Sequence, residues 1–176
     1  VYKNRGVDTK CLIPQNIPLF LEPDSLIDFD LDAARRYLKR SGLEPNSVNL
    51  DLSYVSTYEA YRLTAFMLLD NLKKIGVRLD LKPGLWSTNW DKAKNLDTAP
   101  NIISMAWWPT ISSPSDWFLS LYGTQETPLF NLSYYSNSVL DSLIKKAWEF
   151  ETVDAAAAKE IYKEVQDILI NDCVVI

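Results

Sequence analysis

A strand–helix–strand pattern between residues 48 and 81 constrains the fold most strongly. Residues 48–55 alternate apolar and polar side chains, which is typical of a strand with one buried face. Residues 57–75 carry apolar side chains at three- and four-residue steps, have Lys73 and Lys74 near their end and precede Gly76, so they predict an amphipathic helix. Residues 77–81 alternate again. The short joints predict a right-handed βαβ unit.

The same criteria predict the remaining elements. Helices are expected over residues 30–41, 86–95, 115–122, 139–150 and 154–171. Residues 102–107 are predicted as a third strand, Pro83-Gly84 as a turn and residues 123–136 as a loop. Residues 1–28 carry three prolines and no steady periodicity, so we expect an extended segment that leads into one domain. The predicted class is α/β, with a small mixed sheet flanked by helices.

The composition excludes several classes of function. A net charge of -5 without a basic run argues against a nucleic-acid partner. The absence of histidine excludes a Ser-His-Asp triad, a Cys-His dyad and the commonest zinc sites. The five glycines are scattered singly and form no phosphate-binding loop. We therefore expect neither a cofactor nor a metal.

The chain ends and the cysteines bear on the kind of protein this is. The chain begins abruptly at Val1 and ends in an apolar run over residues 173–176, so we expect a fragment of a longer protein. No apolar stretch is long enough to cross a bilayer. Cys11 and Cys173 form either one disulfide or two small apolar residues, and the sequence leaves both possibilities open.

A cluster of tryptophans follows the third predicted strand. Trp107 and Trp108 are adjacent, two prolines and a group of hydroxyl residues come next, and Trp117 lies just beyond. Large flat side chains in a loop at the end of a strand are a common way to build a stacking surface for a ligand. The alternative is that these rings belong to the core.

The acidic residues show no convincing catalytic pair. Asp116, which follows the tryptophan cluster, either caps the helix predicted at residues 115–122 or acts as a catalytic acid. Glu149 and Glu151 lie at a predicted helix end and are expected to be solvated.

Several segments match a known set of short motifs. Residues 29–43 are similar to "aromatic-Asp-Pro-x-x-Ala-x-x-Leu-Leu-x-x-Ala-Gly", and residues 69–77 to a "Leu-x-x-Ile-Gly-Ile" joint between helix and strand. Trp86 lies where the motif set often has "Glu-Trp" before a short helix. Residues 107–114 resemble "Trp-x-x-Asp-x-x-Asp-Pro".

A last motif completes the resemblance. Asn131, Tyr135 and residues 141–147 are similar to "Asn…Tyr…Asp-x-Leu-Ile-x-x-Ala". In this order, the five motifs resemble the C-terminal lobe of the extracytoplasmic solute-binding proteins of oligopeptide/dipeptide-type ABC importers (family 5).

The resemblance implies a non-enzymatic lobe with the type II periplasmic binding protein fold. Two such lobes form a clamp that closes around a solute and presents it to a membrane permease. The chain would then be a single ligand-binding lobe over residues 1–176. Its partners would be the solute, the N-terminal lobe of the same protein and the permease. The location would be periplasmic or at the cell surface, with the full-length protein tethered to the membrane.

One departure from the motifs bears on the ligand. In peptide-binding relatives, the acid three residues after the loop tryptophan pairs with the amino terminus of the peptide. Thr110 stands at that position here, and Ser113 replaces the second acid. Hydroxyls beside flat aromatics suit an uncharged solute such as an oligosaccharide, because a buried ammonium without a partner is costly. The family's usual ligands favour a peptide, so both classes stay open, with the oligosaccharide slightly preferred on the residues of the loop.

The loop and the resemblance together nominate the ligand-binding residues. They are Trp86, Trp107, Trp108, Thr110, Ser112, Ser113, Asp116, Trp117 and Tyr135. Two other functions are possible: a carbohydrate-active enzyme domain that uses Asp116, and a structural or interaction domain with core tryptophans. In the structural domain, Trp107 and Trp108 would both be buried against helices.

Overall fold

The computed structural model describes residues 11–24 and 28–175, and these fall into two compact units. The first unit contains residues 28–106, and the second contains residues 11–24 and 107–175. The helices and strands of the described residues are, in chain order, α1 (Leu31–Arg40), β1 (Asn49–Val55), α2 (Glu59–Lys74), β2 (Arg78–Gly84), α3 (Trp86–Ala93), β3 (Ile102–Ser104), α4 (Pro114–Tyr122), α5 (Ser138–Phe150) and α6 (Ala155–Asn171).

The first unit is built on a three-stranded sheet with the order β2-β1-β3. Both pairs are parallel, and Leu52 of the central strand lies between Leu81 and Ile102. The predicted βαβ unit is confirmed by β1, α2 and β2, and so is the α/β class. The sheet expected to be mixed is parallel throughout the described residues.

The central strand is more buried than its alternation predicts. Residues 52–55 are all buried, so both faces of β1 are covered at its C-terminal end. Both α2 and α3 pack against this strand. A reciprocal pair of hydrogen bonds fixes the start of β3, because the N–H of Asp51 donates to Asn101 Oδ1 (3.0 Å) and the N–H of Asn101 donates to Asp51 Oδ1 (2.8 Å).

Two predicted element ends are wrong. Pro83-Gly84 is not a turn, because β2 continues to Gly84, which pairs with Val55. Proline is tolerated there since β2 is an edge strand. The third strand stops at Ser104, the last residue paired with β1, so residues 105–107 of the prediction lie outside the sheet.

The first helix begins and ends where its sequence predicts. The Asp30 carboxylate accepts the N–H groups of Asp32 (2.8 Å) and Ala33 (2.9 Å), which would otherwise lack partners at the start of α1. Gly42 has a φ of 75°, the left-handed conformation expected just after a helix.

The second unit packs α4, α5 and α6 around one core. Phe118, Leu140, Ile144, Tyr162 and Leu169 lie at its centre and are almost fully buried. The bounds of these three helices lie within one residue of the predicted ones, and the loop predicted before α5 is confirmed as well.

The segment 11–24 belongs to the same unit and contains no helix or strand. It packs Ile13 and Ile17 into the core, and the buried Gln166 of α6 accepts the N–H of Leu12 (3.3 Å) and donates to the carbonyl of Leu21 (2.9 Å). Residues 1–10 and 25–27 of the predicted leading segment lie outside the described residues.

The described residues also bear on the cysteines and on membrane spans. Cys173 carries an exposed free thiol, so no disulfide joins it to Cys11. Across the described ranges, every helix is too short or too polar to span a membrane.

Candidate ligand-binding site

Asp116 holds the tryptophan loop, which we define as residues 107–113. Its Oδ2 accepts the N–H groups of Thr110 (2.5 Å) and Ile111 (3.0 Å), and Ser120 donates to its Oδ1 (3.4 Å). Hydrogen bonds to a carboxylate are stronger than neutral ones, and the first turn of α4 favours a negative charge. The carboxylate therefore orders the loop backbone.

Ser113 fixes the other end of the tryptophan loop. It is the N-cap of α4, and its Oγ accepts the N–H of Ser115 (3.2 Å). The same hydroxyl donates to Glu151 Oε1 at 2.6 Å. A side chain that the motif nominates for ligand contact therefore also serves as a helix cap.

Glu151 is the main site feature that sequence reasoning missed. The expectation that it is solvated is wrong, because it is half-buried and accepts bonds from Ser113, from the N–H of Ser115 and from the hydroxyl of Tyr162 (2.5 Å). Burial, followed by the bond to Glu151, raises the pKa of the Tyr162 phenol. No local signal could have revealed this, since Ser113 and Glu151 lie 38 residues apart.

The two tryptophans of the loop and Trp117 of α4 have different environments. Trp107 and Trp117 meet edge to face with ring centres 5.1 Å apart, and Phe130 stands 6.0 Å from Trp107. Trp117 also packs against the core of the second unit, and its indole N–H is buried without an acceptor. Trp108 is 71% exposed, so the condition set for a purely structural domain is not met.

Two residues of the tryptophan loop that carry hydroxyl groups are exposed to solvent. Thr110 and Ser112 are both exposed, and Thr110 uses its backbone N–H on Asp116. The second unit thus brings Trp107, Trp108, Thr110, Ser112, Ser113, Asp116 and Trp117 together in one local structure.

Tyr135 is anchored by its hydroxyl group. The hydroxyl donates to Asp172 Oδ2 (2.6 Å) and accepts from Asn137 Nδ2 (2.9 Å), and burial together with Asp172 raises the pKa of this phenol. The neighbouring Asn131 is 2% exposed, and its side-chain nitrogen donates to the carbonyls of Gly123 (2.9 Å) and Tyr135 (2.8 Å). The Asn…Tyr motif therefore organises the loop before α5.

Trp86 is the one candidate in the first unit. It begins α3, is half-buried and stacks on Trp90 with ring centres 6.4 Å apart and planes 13° from parallel. The ammonium of Lys94 lies 5.9 Å from the centre of the Trp90 ring. A role of Trp86 in binding stays a prediction.

Two further features of the described residues bear on possible sites. No group of three Cys, Asp or Glu side chains there is placed to hold a metal ion. A groove of about 700 Å³ opens in the second unit, and its lining includes Leu119, Trp148 and Glu151. None of the nine candidate residues lines this groove.

Over 94% of its length the chain has the fold of part of a type II periplasmic binding protein, a class of solute receptors. The family model for bacterial extracellular solute-binding proteins, family 5 (middle part), matches residues 1–128 of the 176. The chain belongs to this family, which confirms the resemblance seen in the motifs. The family consists of binding proteins rather than enzymes.

Two curated bacterial proteins are similar in sequence. Di/tripeptide-binding protein 1 of Pseudomonas aeruginosa (strain UCBPP-PA14) is 27% identical over 145 residues, which are 80% of this chain and 26% of that protein. The dipeptide-binding protein of Escherichia coli (strain K12) is 25% identical over 174 residues, covering 96% of this chain and 32% of that protein. The chain thus spans between a quarter and a third of these relatives.

Solved structures share the fold. The ABC transporter substrate-binding protein CtaP of Listeria monocytogenes has a TM-score of 0.79 and 28% identity over 94% of this chain and 33% of its own. The periplasmic binding protein DppA of Helicobacter pylori, solved with the peptide STSA, has a TM-score of 0.81 and 20% identity over 94% of this chain and 32% of its own.

Proposed function

We propose that this chain is one lobe of a peptide-binding receptor of an ABC importer, with the tryptophan loop facing the ligand. Family membership and the two curated relatives, which are named for di- and tripeptides, support the peptide class. The oligosaccharide suggested by the hydroxyl-rich loop finds no support among them.

The ordered backbone of the tryptophan loop is the observation that supports placing the ligand-binding site there. Asp116 binds two N–H groups of the loop while Trp108 stays exposed beside it. A large aromatic ring held on an ordered backbone gives apolar contact area at a low entropic cost. Trp108 therefore supplies a surface for a peptide side chain or backbone, and the hydroxyls of Thr110 and Ser112 supply neutral hydrogen bonds.

The amine of the peptide is not paired at position 110. Thr110 is neutral, and the nearby Asp116 carboxylate already accepts bonds from the loop backbone. We therefore expect that blocking the amino terminus of the peptide changes its affinity for the protein little.

The remaining steps concern the full-length protein. Its two lobes close around the peptide, and the closed form delivers the peptide to a permease on the outer side of the cytoplasmic membrane. A tether to that membrane keeps the receptor near the permease.

Calorimetric titration of the full-length protein tests the ligand class. Dipeptides to pentapeptides, their N-acetylated forms and linear oligosaccharides serve as ligands. We expect binding of peptides and little loss on acetylation, whereas binding of oligosaccharides alone would overturn the proposal.

Substitution of Trp108 tests the site. Trp108→Ala should weaken peptide binding about tenfold or more, as loss of a well-packed aromatic contact does. Trp148→Ala is the matched control, because Trp148 is also exposed (56%) and belongs to the same unit but lies outside the tryptophan loop. Equal effects of the two substitutions would contradict the assignment of the loop.

A further inference from the structure

We propose that Glu151 is a positioning residue that holds the tryptophan loop in its binding conformation. The inference rests on the proposed function, since it assumes that this loop meets the ligand. Glu151 is the C-cap of α5, and it accepts hydrogen bonds from Ser113 at the end of the loop and from Ser115 at the start of α4.

One oxygen of Glu151 accepts hydrogen bonds from three parts of the chain. Its Oε1 accepts from Ser113 Oγ (2.6 Å), from the N–H of Ser115 (3.2 Å) and from Tyr162 of α6. The hydroxyls of Ser113 and Ser115 also lie 2.7 Å apart. The loop end, the first turn of α4 and α6 are thereby joined at a single carboxylate.

The buried surroundings strengthen these hydrogen bonds. Ser115 and Tyr162 are buried, and Pro114 between the two serines is buried as well. Hydrogen bonds to a charged group are stronger where water is excluded, and a negative charge is favoured at the start of a helix. Glu151 therefore restrains Ser113 more tightly than an exposed cap would.

Two carboxylates together restrain residues 110–113 of the tryptophan loop, which follow the exposed Trp108. Asp116 holds the N–H groups of Thr110 and Ile111, and Glu151 holds Ser113, so only Ser112 lies between the two anchors. A loop that is already ordered loses less conformational freedom when the ligand binds. Removing Glu151 should therefore lower the affinity for peptide.

The test compares three variants of the full-length protein by peptide affinity and melting temperature. Glu151→Leu removes the acceptor and should weaken binding about three- to tenfold. Glu151→Gln keeps an oxygen at the same place and should restore much of the affinity. Glu149→Leu is the matched control, because Glu149 is exposed on the same helix, and it should bind as the wild type does.

A second readout follows the loop without ligand. Hydrogen exchange of the backbone amides of Thr110 to Ser115 should accelerate in Glu151→Leu and not in Glu149→Leu. In a double-mutant cycle, Glu151→Leu should add little to Ser113→Ala, because the glutamate acts through that hydroxyl. Additive effects would overturn the inference.

The outcomes separate the two proposals. If Trp108→Ala weakens binding and Glu151→Leu does not, the positioning role is wrong and the proposed function stands. If neither substitution weakens binding, the tryptophan loop is not the site and both fail. If Glu151→Leu does not fold, Ser113→Ala carries the test, and its unchanged affinity overturns the inference.

Discussion

The carboxamide of Asn89 fills the space in which a β-carbon on Gly84 would lie. A side chain at position 84 would overlap Asn89 Oδ1, while Asn89 Nδ2 donates to the carbonyl of Tyr54 at 2.9 Å. This contact joins α3 to the C-terminal end of the central strand through Asn89, which lies between Trp86 and Trp90 in the sequence. It also explains why a glycine occupies the last position of β2, where the sequence predicts a turn.

Gly84→Ala should destabilise the protein by about 1–3 kcal/mol, because the side chain of Asn89 must move and lose its bond to Tyr54. Urea denaturation of the full-length protein measures the change. The double variant Gly84→Ala/Asn89→Ala should lose less than the sum of the two single losses, since only one of the side chains needs the space. Additive losses would contradict the steric explanation.

Gln166→Ala should destabilise the protein by about 2–3 kcal/mol. The substitution leaves the N–H of Leu12 and the carbonyl of Leu21 without their partner inside the second unit. Glu164→Ala on the exposed side of the same helix is the control and should change the free energy of unfolding by no more than about 0.5 kcal/mol. Equal melting temperatures of the two variants would rule out this role of Gln166.

Asn131→Asp should be more destabilising than Ser133→Ala. The aspartate places a negatively charged oxygen against the carbonyls of Gly123 and Tyr135, which now accept bonds from the side-chain nitrogen. The expected loss is about 3 kcal/mol at neutral pH, against about 1 kcal/mol for the serine, which only donates to Asn131 Oδ1. Thermal unfolding at pH 7 measures both, and a smaller loss for the aspartate would contradict the assigned orientation of the amide.

The stability of α1 should fall in acid. Backbone bonds from Ala33 and Asp32 lower the pKa of Asp30 below its ordinary 3.8. A lowered folded-state pKa means that the cap stabilises the helix fully above the unfolded pKa, and that this stabilisation is lost as the pH falls through the folded pKa. The protection factors of the Asp32 and Ala33 amides against hydrogen exchange should therefore fall below about pH 4.

Asp30→Asn provides the control for this titration. Asparagine is an equally good N-cap and carries no charge, so the acid-dependent change at these two amides should disappear while the cap remains. Persistence of the same acid transition in the variant would show that another group causes it.

Much of the fold could be predicted because its signals are local. The periods of α2, α5 and α6 and the cap at Asp30 each depend on residues within one or two turns of one another. The end of β2 could not be predicted in this way, because Pro83 is acceptable only on an edge strand, and strand order is not a local property.

The candidate site was also predictable only where its features depend on local sequence. The motif order assigned the family, and the local pattern placed the tryptophans in a loop before a helix that Ser113 caps. Which ring is exposed depended on packing, since Trp117 lies against the core while Trp108 does not lie among the buried residues. The sequence could not distinguish these two rings.

The sequence by itself determined the α/β class, the parallel βαβ unit, the family and the loop that carries the aromatic cluster. Only the tertiary structure decided that Glu151 is an anchor of that loop. The physical reason is distance along the chain. Periodicity and capping act between near neighbours, whereas Glu151 reaches Ser113 across 38 residues once α4, α5 and α6 have packed together.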